Sequence, residues 1–330
     1  MNFLLNSMRV KKHRHNVDYK KDTFKLQTKV LEYDLDWKEL DISEKDLLDR
    51  YLKTYKTEAS EVNFTNLFLW REGYDITYKF INDFLCVRHL DVMKQPLMLA
   101  PIGHGNVKPV LEELMEESNS KSFPLTLSPI TYDKVEEFMG VCTKKFEFFK
   151  EEDHSDYVYS IQELIDLPGR KFHDKKNMLN RFKRDNQYEY LPITSDIINE
   201  VEQAAEEWCR IRNCEDYIEL ENERSGIYEC LEHFGKLDCK GAAIRVKGNV
   251  VAFTFGEPIT DDMVVIHIEK ADPRIPGAYQ IINQQFLEHT WSEYKWVNRE
   301  GDMGTEGLRK AKRSYNPVRM IDKYCLRQIR

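Results

Sequence analysis

The chain has 330 residues, 41% of them hydrophobic and 12% aromatic, with a formal net charge of −8. That length exceeds one compact domain, and the apolar content can furnish two cores, which excludes global disorder despite the high charged fraction. No apolar run approaches the roughly 18–20 residues that cross a bilayer, and the start lacks a cleavage pattern, so a spanning helix and a secretory signal are both excluded.

Taken in order, residues 1–30 show neither helical nor alternating patterning and carry many basic residues; they read as a mobile basic arm or an added edge element. A helix is expected near residues 44–55. A hairpin follows over 75–88, turning at Asn82-Asp83, and then a strand at 97–100. Val107, Val110, Leu111 and Leu114 have helical spacing, a strand is expected at 125–127, and a helix near 132–139. Tyr157-Val158-Tyr159 is read as closing the first half.

The second half opens with expected helices at 170–184 and 197–212. In the latter, Ile197, Val201, Ala204, Ala205 and Trp208 mark one buried face. Residues 242–255 read as a hairpin turning at Lys247-Gly248-Asn249. Strands at 263–268 and 296–298, helices at 278–291 and 306–315, and one last strand at 319–326 complete the order. Hairpin, strand, helix, strand, helix, strand thus recurs after roughly 165 residues. The fold class is α/β with mixed sheets, in two similar domains over 31–160 and 161–330. Neither half has the regular alternation of a long parallel sheet.

The seven cysteines are scattered and contain no Cys-x-x-Cys. They read as reduced, buried thiols, and the protein as cytoplasmic. No His-Glu-x-x-His exists, so no metal site is expected; Walker, Rossmann and serine-elbow motifs are also missing.

Three stretches could carry chemistry. In the loop 269–278, Gly277 and Ala278 open a helix whose first N–H groups could receive a phosphate, with Arg274 adding a charge-assisted contact; a plain strand-to-helix turn is the alternative. In the helix 170–184, Phe172, Leu179 and Phe182 share one face, and Lys171, Lys175, Lys176 and Lys183 flank it. That arrangement is either a solvated surface or a positive wall for a phosphorylated carrier. In the segment 298–317, Leu308, Ala311 and Tyr315 can pack inward while Arg309, Lys310, Lys312 and Arg313 face out or toward a ligand. Asp302 stands before that helix, where a carboxylate favours the dipole.

The segments Leu167-Pro-Gly-Arg-Lys-Phe-His-Asp-Lys-Lys-Asn and Gly301-Asp-Met-Gly-Thr-Glu-Gly-Leu-Arg-Lys-Ala-Lys-Arg-Ser-Tyr-Asn-Pro resemble signature segments of bacterial proteins related to the C-terminal domain of phosphatidylglycerol lysyltransferase. The resemblance covers residues 40–330. It implies two tandem GNAT-like acyltransferase domains, as in Fem-type aminoacyltransferases, and a carrier-linked donor, either acyl-CoA or aminoacyl-tRNA. Arg274-Ile-Pro-Gly277-Ala-Tyr279 keeps the Arg and first Gly of the GNAT donor loop, but Tyr279 replaces its final small residue. No equivalent loop is evident in the first half, which is expected to act as scaffold.

The expected activity is acyl or aminoacyl transfer to an amine or hydroxyl, with Glu269 or Asp272 orienting or deprotonating the acceptor and Tyr315 donating a proton. Arg274, Gly277 and Ala278 would hold the donor phosphate, and Lys171, Lys175, Lys176, Arg309 and Lys312 would form a positive rim. The rival readings are a catalytically silent protein that binds a ligand or a protein partner, and an RNA binder acting through the basic arm and the helix 170–184.

Overall fold

A computed structural model describes residues 36–91, 94–142 and 145–329; the basic arm lies outside them. The first half begins with β1 (Lys38–Glu39), α1 (Lys45–Leu52) and α2 (Phe64–Trp70), the last capped by the Asn63 side chain on the Asn66 N–H. The hairpin β2 (Thr77–Ile81) and β3 (Phe84–Leu90) turns through Asn82 and Asp83, both at positive φ, as a tight two-residue turn requires. β4 (Pro96–Met98), α3 (Lys108–Ser120), β5 (Thr126–Ile130), α4 (Tyr132–Val141) and β6 (Phe146–Lys150) follow.

After β7 (Asp156–Ser160) come α5 (Ile161–Asp166), α6 (His173–Asp185), β8 (Tyr188–Pro192), α7 (Ile198–Arg212) and α8 (Ile218–Glu232). β9 (Lys240–Val246), β10 (Asn249–Pro258), β11 (Met263–Ala271), α9 (Ala278–Thr290), β12 (Trp296–Asn298) and α10 (Glu306–Arg313) repeat the order of the first half. The chain ends in β13 (Arg319–Ile321) and β14 (Tyr324–Gln328). Among the described residues, no helix is long and apolar enough to cross a membrane.

The strands form two seven-stranded sheets, β1-β2-β3-β4-β5-β14-β6 and β8-β9-β10-β11-β12-β7-β13. Position for position they match, down to one parallel pair in each, β4 with β5 and β11 with β12. The sixth position corrects the sequence reading. Tyr157–Tyr159 does not close the first half but pairs with β12 and β13 in the second sheet. The expected last strand at 319–326 is two strands in different sheets, and β14 inserts between β5 and β6 of the first. Each half therefore gives its neighbour one strand.

The crossing is held by buried charge. Lys323, between β13 and β14, donates to Asp156 Oδ1 (2.6 Å), to Ser60 Oγ (3.2 Å) and to Glu61. Asn298 adds a 2.9 Å bond to Asp156. One core is shared by both halves: Phe64, Phe68, Tyr78 and Val87 of the first pack with Val201, Ile227, Phe253 and Ile268 of the second. A second core lies between the other sheet face and α6 and α9, where Phe172, Leu179 and Phe182 are buried as their spacing predicts.

The cysteine reading is also corrected. Cys209 and Cys214 form a disulfide. Asn213, at φ 53, reverses the chain after α7 and brings their Cα atoms to 5.0 Å, inside the range a disulfide spans. Cys86, Cys142, Cys230, Cys239 and Cys325 are free.

Candidate functional site

The site begins with a fault in a strand. β11 pairs with β12 only from Met263 to Val265, opposite Trp296 to Asn298, and runs on to Ala271 paired with β10 alone. On its other side the register with β10 slips between Phe255 and Gly256, leaving His267 as an extra residue. Such a bulge bends the strand and re-aims the side chains beyond it. Gly256 makes it possible, since a Cβ there would lie 2.0 Å from the Val265 carbonyl oxygen.

Beyond the bulge, Glu269 points toward α9. It accepts from Asn283 Nδ2 at 2.9 Å and from Arg299 Nη2 at 2.8 Å. Both charged side chains are nearly buried, at 10% and 12% exposure, so the pair sits where desolvation is costly and a missing partner is felt. The Arg299 guanidinium lies 4.9 Å from the ring centre of Tyr315 and 5.6 Å from that of Tyr159. Lys175 of α6 places its ammonium 4.2 Å from the Tyr315 ring. Burial, with Arg299 nearby, holds Lys175 below the usual lysine range. Burial pushes the Tyr315 hydroxyl up to about 12, so it remains a proton donor at neutral pH.

Two buried polar atoms of this cluster, Arg299 Nη1 and the Tyr315 hydroxyl, lack a well-formed hydrogen bond among the described residues, with the Gln280 side chain near the hydroxyl. Unpartnered buried polar atoms are uncommon in folded proteins, and a water or a bound group can satisfy them.

The loop carrying Arg299 is fixed from outside the cluster. Lys312 donates to the carbonyls of Arg299 (2.6 Å), Glu300 (3.0 Å) and Gly301. Burial lowers this amine to about 8. Arg309 binds both oxygens of Asp302, which also accepts from Tyr157 and from the Gly304 N–H, and it reaches Asp153 as well. Arg309 and Lys312, expected at a positive rim, instead brace the backbone of the site.

The other expected residues are dispersed. Arg274 is spent on Asp272 and on Glu207 of α7, each at 2.7 Å, and this contact holds the Asp272 carboxyl below its ordinary range. Lys171 pairs with Glu163 at 2.8 Å, and Lys176 is exposed. Ala278 is buried. Gly277 has φ 86 and turns its Cα toward α6, where an added Cβ would meet the Met178 carbonyl oxygen at 2.3 Å. Helix packing and the positive φ are by themselves enough to demand glycine here. Gly277→Ala is expected to cost about 1–3 kcal/mol from overpacking alone, in chemical denaturation with no ligand present; unchanged stability would refute that account.

Sequence reasoning brought Glu269, Tyr315 and Lys175 forward but missed Arg299, Tyr159 and Asn283. The available signal for Arg299 was a lone arginine directly after a short buried strand.

Comparison with known proteins agrees with this architecture. The family model described as phosphatidylglycerol lysyltransferase, C-terminal, matches residues 52–327. A conserved protein of unknown function from Bacteroides thetaiotaomicron is 34% identical with TM-score 0.82, over 89% of this chain and 99% of that one. L-PGS from Bacillus licheniformis superposes with TM-score 0.61 at 17% identity, over 88% and 92%. FemX does so with TM-score 0.55 at 9% identity, over 89% and 98%. An uncharacterized protein of Mycoplasmoides gallisepticum is 24% identical over 182 residues, 54% of this chain and only 58% of its own length. The two halves are tandem GNAT-like acyltransferase folds.

Proposed function

Since the chain belongs to the phosphatidylglycerol lysyltransferase C-terminal family, we propose that it transfers an acyl or aminoacyl group from a carrier to an amine or hydroxyl in the cytoplasm. The carrier would be acyl-CoA or aminoacyl-tRNA. The observation behind this reading is the pair of orphaned donors, Arg299 Nη1 and the Tyr315 hydroxyl, beside the buried Glu269.

A carbonyl oxygen is the group these donors lack. In the reaction the acceptor lone pair attacks the ester or thioester carbon, and negative charge gathers on that oxygen. Donors already in place stabilise it without reorganising. Collapse expels the carrier's hydroxyl or thiol, to which Tyr315 can pass a proton, and the proton released by the acceptor passes to Glu269 or solvent and returns to the tyrosine. Glu269, held by Asn283 and Arg299, would position the acceptor by giving up one of these partners. Asp272, engaged by Arg274, is the alternative. Arg274, Gly277 and Ala278 would meet the donor phosphates at the start of α9, which requires Arg274 to leave its carboxylates; Lys175 and Lys176 would supply positive charge on the adjoining helix.

That prior engagement of Arg274 also favours a second reading, a double-GNAT protein that binds a ligand or partner without catalysis. Thermal unfolding of the full chain against acetyl-CoA, longer acyl-CoAs, and charged and uncharged tRNA separates the two. A carrier present at 100 times its Kd should add about 2.7 kcal/mol of stability. A shift with an acyl-CoA or with charged tRNA supports transfer and names the carrier. If none of them moves the midpoint, the transferase reading falls and the binding reading stands.

A further inference from the structure

The bulge that opens the site also gathers a second set of donor atoms, on residues with no part in the transfer scheme. His267 is buried, with Nε2 at 3.0 Å from Glu257 Oε1 and Nδ1 at 3.1 Å from Glu300 Oε1. Cys239 stands just before β9. Its sulfur, a Glu257 oxygen and a His267 ring nitrogen all lie within 4.8 Å of one another.

We propose that Cys239, Glu257 and His267 bind one divalent transition-metal ion, with Zn²⁺ the best match. A thiolate, an imidazole and a carboxylate form the mixed, borderline-soft set that Zn²⁺ takes, and the ligands come from three adjacent strands or strand ends. The surroundings support the assignment. Glu300 on Nδ1 orients the imidazole with Nε2 toward Glu257, where the ion would take the place of the Nε2 proton, and Asn66 donates to Glu300 at 3.2 Å. This carboxylate–histidine–metal order is what metal sites use to orient a ligating histidine. Coordination would form metal–sulfur, metal–nitrogen and metal–oxygen bonds. The thiol proton and the Nε2 proton would leave to solvent, and the two charges of the ion would replace theirs. Donor atoms already this close could enclose an ion with small side-chain movements, given metal–ligand distances of about 2.0–2.3 Å.

The test uses the full chain, stripped with a chelator and dialysed against Zn²⁺ or Co²⁺. Elemental analysis should find one Zn²⁺ per chain, and the Co²⁺ form should show a thiolate-to-metal absorption band. Cys239→Ser should abolish that band, whereas Cys142→Ser, in the separate core of the first half, should keep it. Glu300→Gln should weaken Zn²⁺ binding by about 10–100-fold as a partner of the ligating histidine. Failure of the unaltered protein to retain Zn²⁺ would overturn the proposal, as would an unchanged Co²⁺ band in Cys239→Ser. The first of these needs no variant, so a misfolded substitution cannot shield the idea. None of the readouts depends on transferase activity.

Discussion

Replacing Arg299 with methionine is expected to destabilise the protein by about 3–5 kcal/mol and to abolish transfer. Methionine fills much of the same volume but leaves Glu269 buried with only the Asn283 amide against it. A buried carboxylate stripped of its cation keeps the full desolvation cost and loses the attraction that offset it. Arg299→Lys separates stability from chemistry. Lysine keeps the charge and can still pair with Glu269, but it lacks the planar fork that lets one nitrogen serve the carboxylate while another faces the orphaned side. Its stability should stay close to that of the unaltered protein, while kcat with the carrier found by thermal shift should fall by about 10²–10³. Urea unfolding and turnover, measured on both variants, check the pair of expectations. Normal turnover in Arg299→Lys would mean that the free nitrogen does not touch the reacting carbonyl.

Lys323→Met should be as damaging to stability, again by about 3–5 kcal/mol, with no direct contact to the transfer site. Lys323 is 1% exposed and Asp156 is wholly buried. Burial, with Asp156 adding its charge, pushes the Glu61 carboxyl up to about 7 even with the lysine present. Without the ammonium, the wholly buried Asp156 carboxylate and the mostly buried Glu61 carboxyl would be left together with no cation between them. Adding Glu61→Gln to Lys323→Met removes one of those charges, so the double variant should recover part of the loss. Additive losses in urea unfolding would contradict that coupling, because residues sharing one ion network depart from additivity.

What could be read from the sequence follows from how local each signal is. The hairpins were legible because their turns are local. Asn82-Asp83 and Lys247-Gly248 all adopt positive φ, and Asn, Asp and Gly do so at least cost. Phe172, Leu179 and Phe182 were legible because helical spacing puts them on one face. The destination of Tyr157–Tyr159 was not. Alternation says that a strand is half-buried, but it does not say which sheet receives it. α8 and β8 went unread too; Ile227, Cys230 and Leu231 are buried in α8 amid a long polar stretch that gave little periodic contrast. At the site, Glu269 and Tyr315 drew notice through their residue types and neighbouring motifs. Arg299 did not, because its importance lies in contacts with Glu269, Tyr159 and Tyr315, which are far away in the chain. The Cys209–Cys214 pair was hidden for a related reason: five residues of separation allow a disulfide only once Asn213 reverses the backbone.

The reciprocal loan of β7 and β14 has a consequence for how the protein is made. While a ribosome is still synthesising the second half, the first has β5 and β6 but nothing to lie between them, since that strand occupies residues 324–328. Two open strand edges stay available for wrong partners until β14 has been made, a hazard that unpaired edges always carry. The two halves look like separable modules, yet neither has a complete sheet of its own. The first sheet is therefore complete only once residues 324–328 are available, and a cut before β14 would remove a central strand from the earliest-made sheet rather than from the latest.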